Sequence, residues 1–267
     1  MALIVFFIVQ WYISLFTQTF FLHRYAAHGM FTMSKNWERF FFIFTFIAQG
    51  SNYLSPYGYG VMHRMHHAFT DTDKDPHSPK YSKNLVDMMV QTLRTYQAIC
   101  KRKLNIEARF TRNVPDWLKF DKIAGHNGIR LVWVLLYVLV YVWLATAWWQ
   151  WLFLPITLAM APVHGAIINW YAHKFGHRRF EMSNTSTNFL PIDFLMMGES
   201  YHNNHHKFDT SANFGVKWFE LDPTYFIIKV LDKCNVIQLK PELIVARNSA
   251  RQKVNRFYKK SSKIYEN

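Results

Sequence analysis

Three uninterrupted apolar blocks constrain the fold of this chain more than any other feature. They cover residues 2–22, 129–148 and 151–170. A helix needs about 20 apolar residues to cross the roughly 30 Å of hydrocarbon in a bilayer. Backbone polar groups inside lipid must be satisfied within the segment, so each block is expected to be helical. The blocks predict an all-α, polytopic membrane helical bundle.

The distribution of Lys and Arg predicts the orientation of these helices. Residues 24–130 and the chain after Lys174 are rich in basic residues, whereas the N-terminal end and the turn at 149–151 contain no Lys or Arg. Basic residues favour the cytoplasmic side of a membrane. We therefore predict a multi-pass integral membrane protein with three spans, whose middle and C-terminal segments lie in the cytoplasm.

A fourth apolar stretch, Phe40–Ala48, is too short to span a bilayer comfortably and runs into polar residues. We predict that residues 40–53 form an interfacial or re-entrant segment. The alternative is that this stretch crosses the membrane and gives four spans. The first two histidine motifs described below would then lie on opposite faces.

The net charge of +14 raises two kinds of partner, nucleic acid and anionic lipid. The basic residues flank the apolar blocks and crowd the C-terminal end, so lipid headgroups explain them better, and we expect no nucleic-acid partner. We divide the chain into a membrane domain over residues 1–235, with a helix near Leu85–Ile99, and a basic tail over residues 236–267. The tail is expected to lie on the surface or to be disordered.

Ten of the thirteen histidines fall into three short regions next to the apolar blocks. These are His23 and His28, then His63, His66 and His67, and finally His173, His177, His202, His205 and His206. On a helix, residues three and four apart share a face, so each His-x-x-His-His motif is expected to converge on one point. Asn169 and His173 are also four apart and are expected to leave the last span toward the same site.

So many neutral imidazoles in one place predict a metal centre, because each buried ring nitrogen needs a partner. Imidazole suits Fe, Zn and Cu, and a single zinc usually takes four ligands. A dinuclear centre with four or five ligands per metal fits the count. A soluble-type carboxylate site would need two Glu-x-x-His motifs, and the sequence has one, Glu199 to His202. We interpret Glu199 as orienting a ligand histidine, with a solvated charge as an equal alternative.

The spacing His-x-x-x-x-His, His-x-x-His-His and His-x-x-His-His resembles that of the integral-membrane fatty acid desaturase family, in particular its stearoyl-CoA-type delta-9 branch. Residues 67–77, which end in Asp-Pro-His, are similar to the family's stretch after the second motif. Residues 198–206 are similar to its third motif, and Asn169 with His173 resembles its additional ligand helix. The resemblance extends over about residues 21–223.

The resemblance implies a cytoplasmic helical cap that holds a di-iron centre. The implied iron ligands are His23, His28, His63, His66, His67, His173, His202, His205 and His206, with Asn169 acting through a water. The implied reaction is the O2-dependent desaturation of a long-chain saturated acyl substrate, held in a bent apolar tunnel, to a cis-monounsaturated product at delta-9. Electrons would come from a separate donor of the ferredoxin or cytochrome b5 type.

Two departures from the family pattern bear on the substrate. The family usually has a further span before the first motif. In acyl-CoA-using relatives an Arg-Asp pair commonly precedes the second motif, where this chain has Val61 and Met62. The acyl carrier therefore stays open among CoA, another acyl thioester and an intact lipid.

The remaining histidines are assigned other roles. His77, beside Asp75, is expected to be structural or to meet the substrate head group. His164 lies within the last span and is expected to line the tunnel or to pack. His126 is expected to be solvated, and His177 could reach the metals on spacing alone.

Two alternative functions remain at the sequence level. A hydroxylase or ketolase on the same scaffold would share the ligand set. A histidine-rich metal transporter or haem carrier would hold its ligands near the midplane or within the spans. The motifs in this chain instead adjoin the ends of the apolar blocks, which favours an enzyme.

Overall fold

The computed structural model describes residues 1–240, and within them the chain is mainly helical. Its α-helices are α1 (Ala2–Phe16), α2 (Lys35–Gln49), α3 (Pro56–Phe69), α4 (Leu85–Cys100), α5 (Ala108–Thr111), α6 (Leu118–Ala124), α7 (Asn127–Leu144), α8 (Leu154–Leu158), α9 (Met160–Ala166), α10 (His202–Lys207) and α11 (Pro223–Lys233). The segments Thr17–Ala27 and Ile167–Tyr171 are π-helical, and Gly50–Asn52 and Trp148–Phe153 are 3₁₀-helical. The predicted all-α fold and the helix expected near Leu85–Ile99 are confirmed.

Among residues 1–240, two helices are long and apolar enough to cross a membrane. One is Ala2–Ala27, in which α1 continues into the first π-helical segment, and the other is α7. A third candidate consists of Trp148–Leu158 and Met160–Tyr171, which pass the same test together but are bent by 74°. The first helix is thus longer than its predicted 2–22, and the second ends at Leu144, four residues before the predicted boundary of 148.

The apolar block over residues 151–170, expected to be helical, is bent at Ala159 rather than continuous. This residue has φ −124° and ψ 23°, outside the helical region. Pro162 follows three residues later, has no N–H, and its ring clashes with the carbonyl of Leu158 in a continuous helix. The apolar composition predicted the location of this span, but proline at position 162 determines its shape.

The stretch expected to be interfacial or re-entrant forms most of α2 and the turn that follows. Ser34 caps α2 by accepting a hydrogen bond from the N–H of Trp37. The helix has 15 residues and continues into the buried turn Gly50–Asn52. It is therefore shorter than the two candidate spans and packs against the first of them through Phe41.

A small antiparallel sheet also packs against the helical core. Strand β1 (Phe31–Met33) pairs with β2 (Ile237–Leu239), with Phe31 opposite Leu239. Since β2 belongs to the folded body, the start of the expected tail moves from residue 236 to beyond Leu239. Residues 241–267, which make up the rest of that predicted tail, lie outside the described residues.

Candidate metal centre

Nine histidine side chains meet in two adjacent groups. Within each group one ring nitrogen per residue lies within 4.8 Å of all the others. The five-histidine group consists of His23, His28, His63, His67 and His205. The four-histidine group consists of His66, His173, His202 and His206. The structure thus brings together all nine histidines that the sequence singled out as ligands.

The expectation that each His-x-x-His-His motif converges on one point is wrong. On α3, the rings of His63 and His67 are 4.6 Å apart and share the five-histidine group, whereas His66 lies 6.0 Å from His63 and joins the other group. Residues four apart differ by about 40° around a helix and residues three apart by about 60° in the opposite sense, so the middle histidine points elsewhere.

The third motif, on α10, divides in the same way but in the opposite direction. His202 and His206 are 4.5 Å apart and belong to the four-histidine group. His205 lies 6.0 Å from His202 and reaches the five-histidine group. Each motif therefore gives two ligands to one group and one to the other, which couples α3 and α10 across the centre.

A π-helical turn places the first motif. The N–H of His28 donates to the carbonyl of His23 at 3.1 Å, a hydrogen bond between residues five apart. In a regular α-helix, residues five apart lie on different sides, whereas one π turn brings them to the same side. This explains how a spacing of five serves a single group. The sequence analysis did not anticipate the turn.

The ring nitrogens are spaced as ligands around a common ion. The Nε2 atom of His205 is 3.0 Å from Nε2 of both His23 and His67. The Nε2 atom of His202 is likewise 3.0 Å from those of His173 and His206. Neighbouring ligands at right angles, each about 2.0–2.1 Å from a metal, would be separated by about 3.0 Å.

Hydrogen bonding between the rings does not account for this packing. A ring nitrogen carries either one proton or one lone pair, so Nε2 of His205 or His202 cannot pair fully with two neighbours. In addition, Nε2 of His66 is buried and has no hydrogen-bond partner among residues 1–240. A buried polar atom without a partner is costly, and coordination would satisfy it. The residues present therefore fit a metal centre.

The electrostatics keep these rings neutral. Burial, followed by repulsion from neighbouring histidines, holds the pKa well below its usual range at His63, His66, His67, His202, His205 and His206. A neutral imidazole has the free lone pair that coordination requires. These six histidines are consequently in the form that binds a metal at neutral pH.

Glu199 supports the five-histidine group. Its Oε2 lies 2.7 Å from Nδ1 of His23, and its Oε1 accepts from Arg24 at 2.7 Å and from the hydroxyl of Thr19. Burial acts to raise the pKa of Glu199, but His23 and Arg24 outweigh it and lower that pKa. The carboxylate is buried, so the reading of Glu199 as a solvated charge is wrong.

Arg24 is the residue that sequence reasoning missed. It is completely buried and also donates to Asp222 at 2.9 Å, with its guanidinium 3.8 Å from the centre of the Phe214 ring. A signal was present, because Arg24 is the first charged residue after an apolar run, and a charge in such a place needs a partner.

Two aspartates support the four-histidine group. Oδ1 of Asp75 lies 2.9 Å from Nδ1 of His66. Asp71 accepts from the backbone N–H of Thr185 at 2.6 Å, and the Thr185 hydroxyl lies 3.3 Å from Nδ1 of His173. Burial raises the pKa of Asp75, whereas hydrogen bonds from Thr185 and the nearby His173 outweigh burial and lower the pKa of Asp71.

The remaining candidates lie around these groups. Asn169 lines a cavity beside the centre, together with the buried His77 and His164. The ring of His77 lies 4.2 Å from that of His66, tilted by 30°, and Asp75, His66 and His77 form a further small cluster. His164 packs edge-on against Trp11, in agreement with its predicted packing role.

Two histidines lie away from the metal groups. His177 is exposed and pairs through its backbone with Asn188, so the spacing-based possibility that it is a ligand is not supported by its position. His126 is exposed and accepts from the N–H of Gly128, which caps α7 and confirms its expected solvation.

An apolar cavity of about 490 Å³ begins at the centre. His23, His63, His202 and Glu199 line its inner end, and the rest of its wall is largely aliphatic. Its size is within the usual range for pockets that hold small molecules, about 300–1,000 Å³. The arrangement places an elongated apolar ligand directly against the histidine groups.

The fold and the site together define a helical membrane protein with a histidine-rich metal centre next to an apolar cavity. The sequence profile of the family described as "Fatty acid desaturase" matches residues 1–231. The chain belongs to this family, is a fatty acyl desaturase and is an integral membrane protein.

Individual relatives agree with this assignment. A delta-9 desaturase-like 2 protein from Arabidopsis thaliana is 31% identical over 220 residues, which are 79% of this chain and 67% of the relative. An sn-1 stearoyl-lipid 9-desaturase from Synechocystis sp. is 30% identical over 237 residues, 85% of this chain and 69% of the relative. An acyl-CoA 5-desaturase from Anemone leveillei is 29% identical over 224 residues, 81% and 64% respectively.

Proposed function

We propose that the two histidine groups hold two iron ions, and that the enzyme uses O2 there to desaturate a long saturated acyl chain to a cis-monounsaturated product, at delta-9. The observation that carries this proposal is the division of nine histidines into adjacent groups of five and four. Imidazole ligands suit iron, and the number of donors in each group suits one ion. When bound, iron supplies the redox chemistry with O2 that side chains alone lack.

Asn169 completes the proposed ligand set by an argument from symmetry. The motif on α3 gives two ligands to the five-histidine group, and the motif on α10 gives two to the four-histidine group. The first membrane helix adds a pair, His23 and His28, to the former. Asn169, within the second π-helical segment, and His173, two residues after it, are the corresponding pair for the latter, with Asn169 acting through a water.

The protein's own contribution to the reaction is to position the acyl chain and to exclude water. Leu15, Met62 and Ile168 line the cavity close to its inner end, where His63 and His202 lie. An extended chain in this cavity presents particular methylene groups to the centre, and two adjacent carbons lose one hydrogen each. The double-bond position then follows from the distance between the head group and the inner end.

Electrons must reach the centre from another protein, for which we propose a donor of the ferredoxin or cytochrome b5 type. Lys207, next to His206, and Lys174, next to His173, are exposed and give a basic surface near the ligands. Such a surface favours an acidic partner. We further propose that three spans place this surface in the cytoplasm, and that turnover falls as ionic strength rises. Turnover that does not respond to salt would contradict the electrostatic part.

The proposed function predicts a defined product. Expression in a desaturase-deficient host with a co-expressed donor should yield new monoenes, located by gas chromatography–mass spectrometry after double-bond derivatisation. These should be absent in His205→Ala and present in the matched control His126→Ala, and the purified protein should contain iron. Hydroxylated or oxo lipids, or a protein that binds no iron, would contradict the proposal. The acyl carrier, whether CoA, another thioester or a lipid, is a separate question.

A further inference from the structure

The cavity at the centre opens between α4 and α9. Its wall includes Val86, Val90 and Leu93 of α4 and Pro162 of α9. Each of these residues is also exposed at the protein surface. The mouth of the cavity is therefore the gap between these two helices, some distance along the wall from the histidines.

The surface around this mouth is apolar. Val86, Val90 and Leu93 are 71%, 39% and 53% exposed, and positions four and seven residues apart lie on one face of a helix. On the other side, α9 belongs to Met160–Tyr171, the inner half of the bent candidate span. An exposed apolar helix face beside a membrane segment is stable in contact with lipid. The mouth thus faces the bilayer.

The lining offers no counter-charge for an anionic carrier. Among residues 1–240, no Lys or Arg lines the cavity, and its charged or titratable side chains other than tyrosine are five histidines and Glu199. These histidines are His23, His63, His77, His164 and His202. His164 lies within the bent candidate span and packs on Trp11. The phosphates of CoA or of a phosphopantetheine arm are usually bound by Arg, Lys or a free helix N-terminus.

The N-terminus of α4, whose first residue Leu85 lines the cavity, is already occupied. The side chain of Asn84 accepts from the N–H of Asp87, and the acidic Asp87 stands in the first turn. Lys80 and Lys83 precede α4 and are exposed, but they do not line the cavity. Their place next to an apolar mouth is that of basic residues at the level of lipid headgroups.

On the premise that the proposed desaturase function holds, we propose that the substrate is an acyl chain still attached to a membrane lipid, which enters sideways from the bilayer between α4 and α9. The chain slides tail-first past Val90 and Leu93 toward His63 and His202, while the headgroup stays at the interface. No soluble carrier is needed to bring the chain to the mouth.

Photo-crosslinking tests this proposal without requiring turnover. The whole protein in phosphatidylcholine vesicles is exposed to one of two probes, each with a diazirine near the end of an octadecyl-length chain. One probe is a phosphatidylcholine with this chain in ether linkage, which cannot be transferred to CoA, and the other is the corresponding acyl-CoA. We expect the lipid probe to label peptides from the cavity wall, and unlabelled lipid, but not acyl-CoA, to compete.

Substitutions at the mouth provide the matched comparison. Val90→Trp and Leu93→Trp each place a large side chain at the opening, and both sites are exposed, so folding should be preserved. Labelling of the inner wall by the lipid probe should be lost in both, and retained in Ile123→Trp, an equally apolar exposed site on α6 that does not line the cavity.

The outcomes separate the two proposals. Labelling of the inner wall by acyl-CoA alone, or lipid labelling that persists in both mouth variants, would overturn the lipid proposal. Because crosslinking needs neither iron nor an electron donor, failure of the desaturase proposal would be seen separately, as lipid labelling without monoene formation. An ether lipid that acquires a double bond in membranes supplied with a reduced donor would establish both.

Discussion

The five-histidine group and the four-histidine group use the same kind of nitrogen donor, but different parts of the protein hold them in place. Glu199 supports the first group within a buried network with Arg24 and Asp222. Asp71 and Asp75 support the second from the segment between α3 and α4. One group is therefore built into the helical core, whereas the other depends on a connecting segment that is itself held by hydrogen bonds.

Because of this difference, we expect the loss of a supporting side chain to affect protein stability in one group and metal affinity in the other. A buried ion pair stabilises weakly when intact, but removing one partner leaves a buried charge at a cost of about 3–5 kcal/mol. Without Glu199, the buried Arg24 would lose one of its two carboxylate partners and keep only Asp222. Asp75 is paired with a neutral histidine and two backbone N–H groups, so its loss strands no cation. Damage to the first group should affect stability, and damage to the second chiefly affinity.

The largest effect is expected from removing one histidine ligand from either group. His205→Ala should remove a nitrogen that faces both His23 and His67, and His202→Ala one that faces both His173 and His206. Both variants should lose desaturation altogether, because the reaction needs both ions. Product analysis and iron determination would show this, with the exposed His177→Ala as the control. Activity in either variant would refute the two-group centre.

The next effect is on stability. Glu199→Ala should destabilise the protein by about 3–5 kcal/mol, since it leaves Arg24 with a missing partner in the core. Thermal unfolding in detergent measures this. The triple variant Glu199→Ala, Arg24→Met and Asp222→Asn should recover part of the loss without recovering activity, because it leaves no member of the network as an unpaired buried charge. If the single variant unfolds like the wild type, the buried network does not anchor the first group.

A smaller effect is expected from the corresponding change in the second group. Asp75→Asn should weaken iron binding by roughly 10–100-fold, because it disturbs the acceptor that orients His66. The unfolding temperature should change much less than in Glu199→Ala. Metal titration and unfolding on the same preparation test both statements. An equal loss of stability in the two variants would remove the proposed difference between the groups.

The smallest expected effect is a difference in the rate of metal removal. Under a chelator, iron should leave the four-histidine group about a few-fold faster, since this group has one imidazole fewer and outer support from a connecting segment. A time course of iron release should show two phases, with the faster one missing in His202→Ala. A single phase, or loss of the slower phase in that variant, would reverse the assignment.

Features of the fold that have local causes could be predicted from the sequence. Apolar length predicted the first membrane helix and α7, and the spacing of His63, His66 and His67 placed them on one helix, α3. Features that depend on packing between distant segments could not be predicted. The bend at Ala159 in the third block was not expected, and the members of each histidine motif, expected to converge on one point, divide between the two groups.

Spacing could not reveal that division, because a helix face about 100° wide can serve one ion or two adjacent ones. The division of the ligands between two groups is decided by the position of α10 opposite α3. Residues about 140 positions apart meet there, as in the pair His67 and His205. The π-helical turn between His23 and His28 could not be predicted from spacing either, because the five-residue spacing is compatible with this turn but does not require it.

The sequence alone determined that this chain is a helical membrane protein with nine histidines available for a metal centre, because hydropathy and helical spacing are properties of neighbouring residues. The tertiary structure decided which nitrogen joins which group, that Arg24 and Glu199 stand behind one of them, and that the cavity opens between α4 and α9. These features arise only when distant segments are packed together, since the energies of buried charges and ligands depend on neighbours in space.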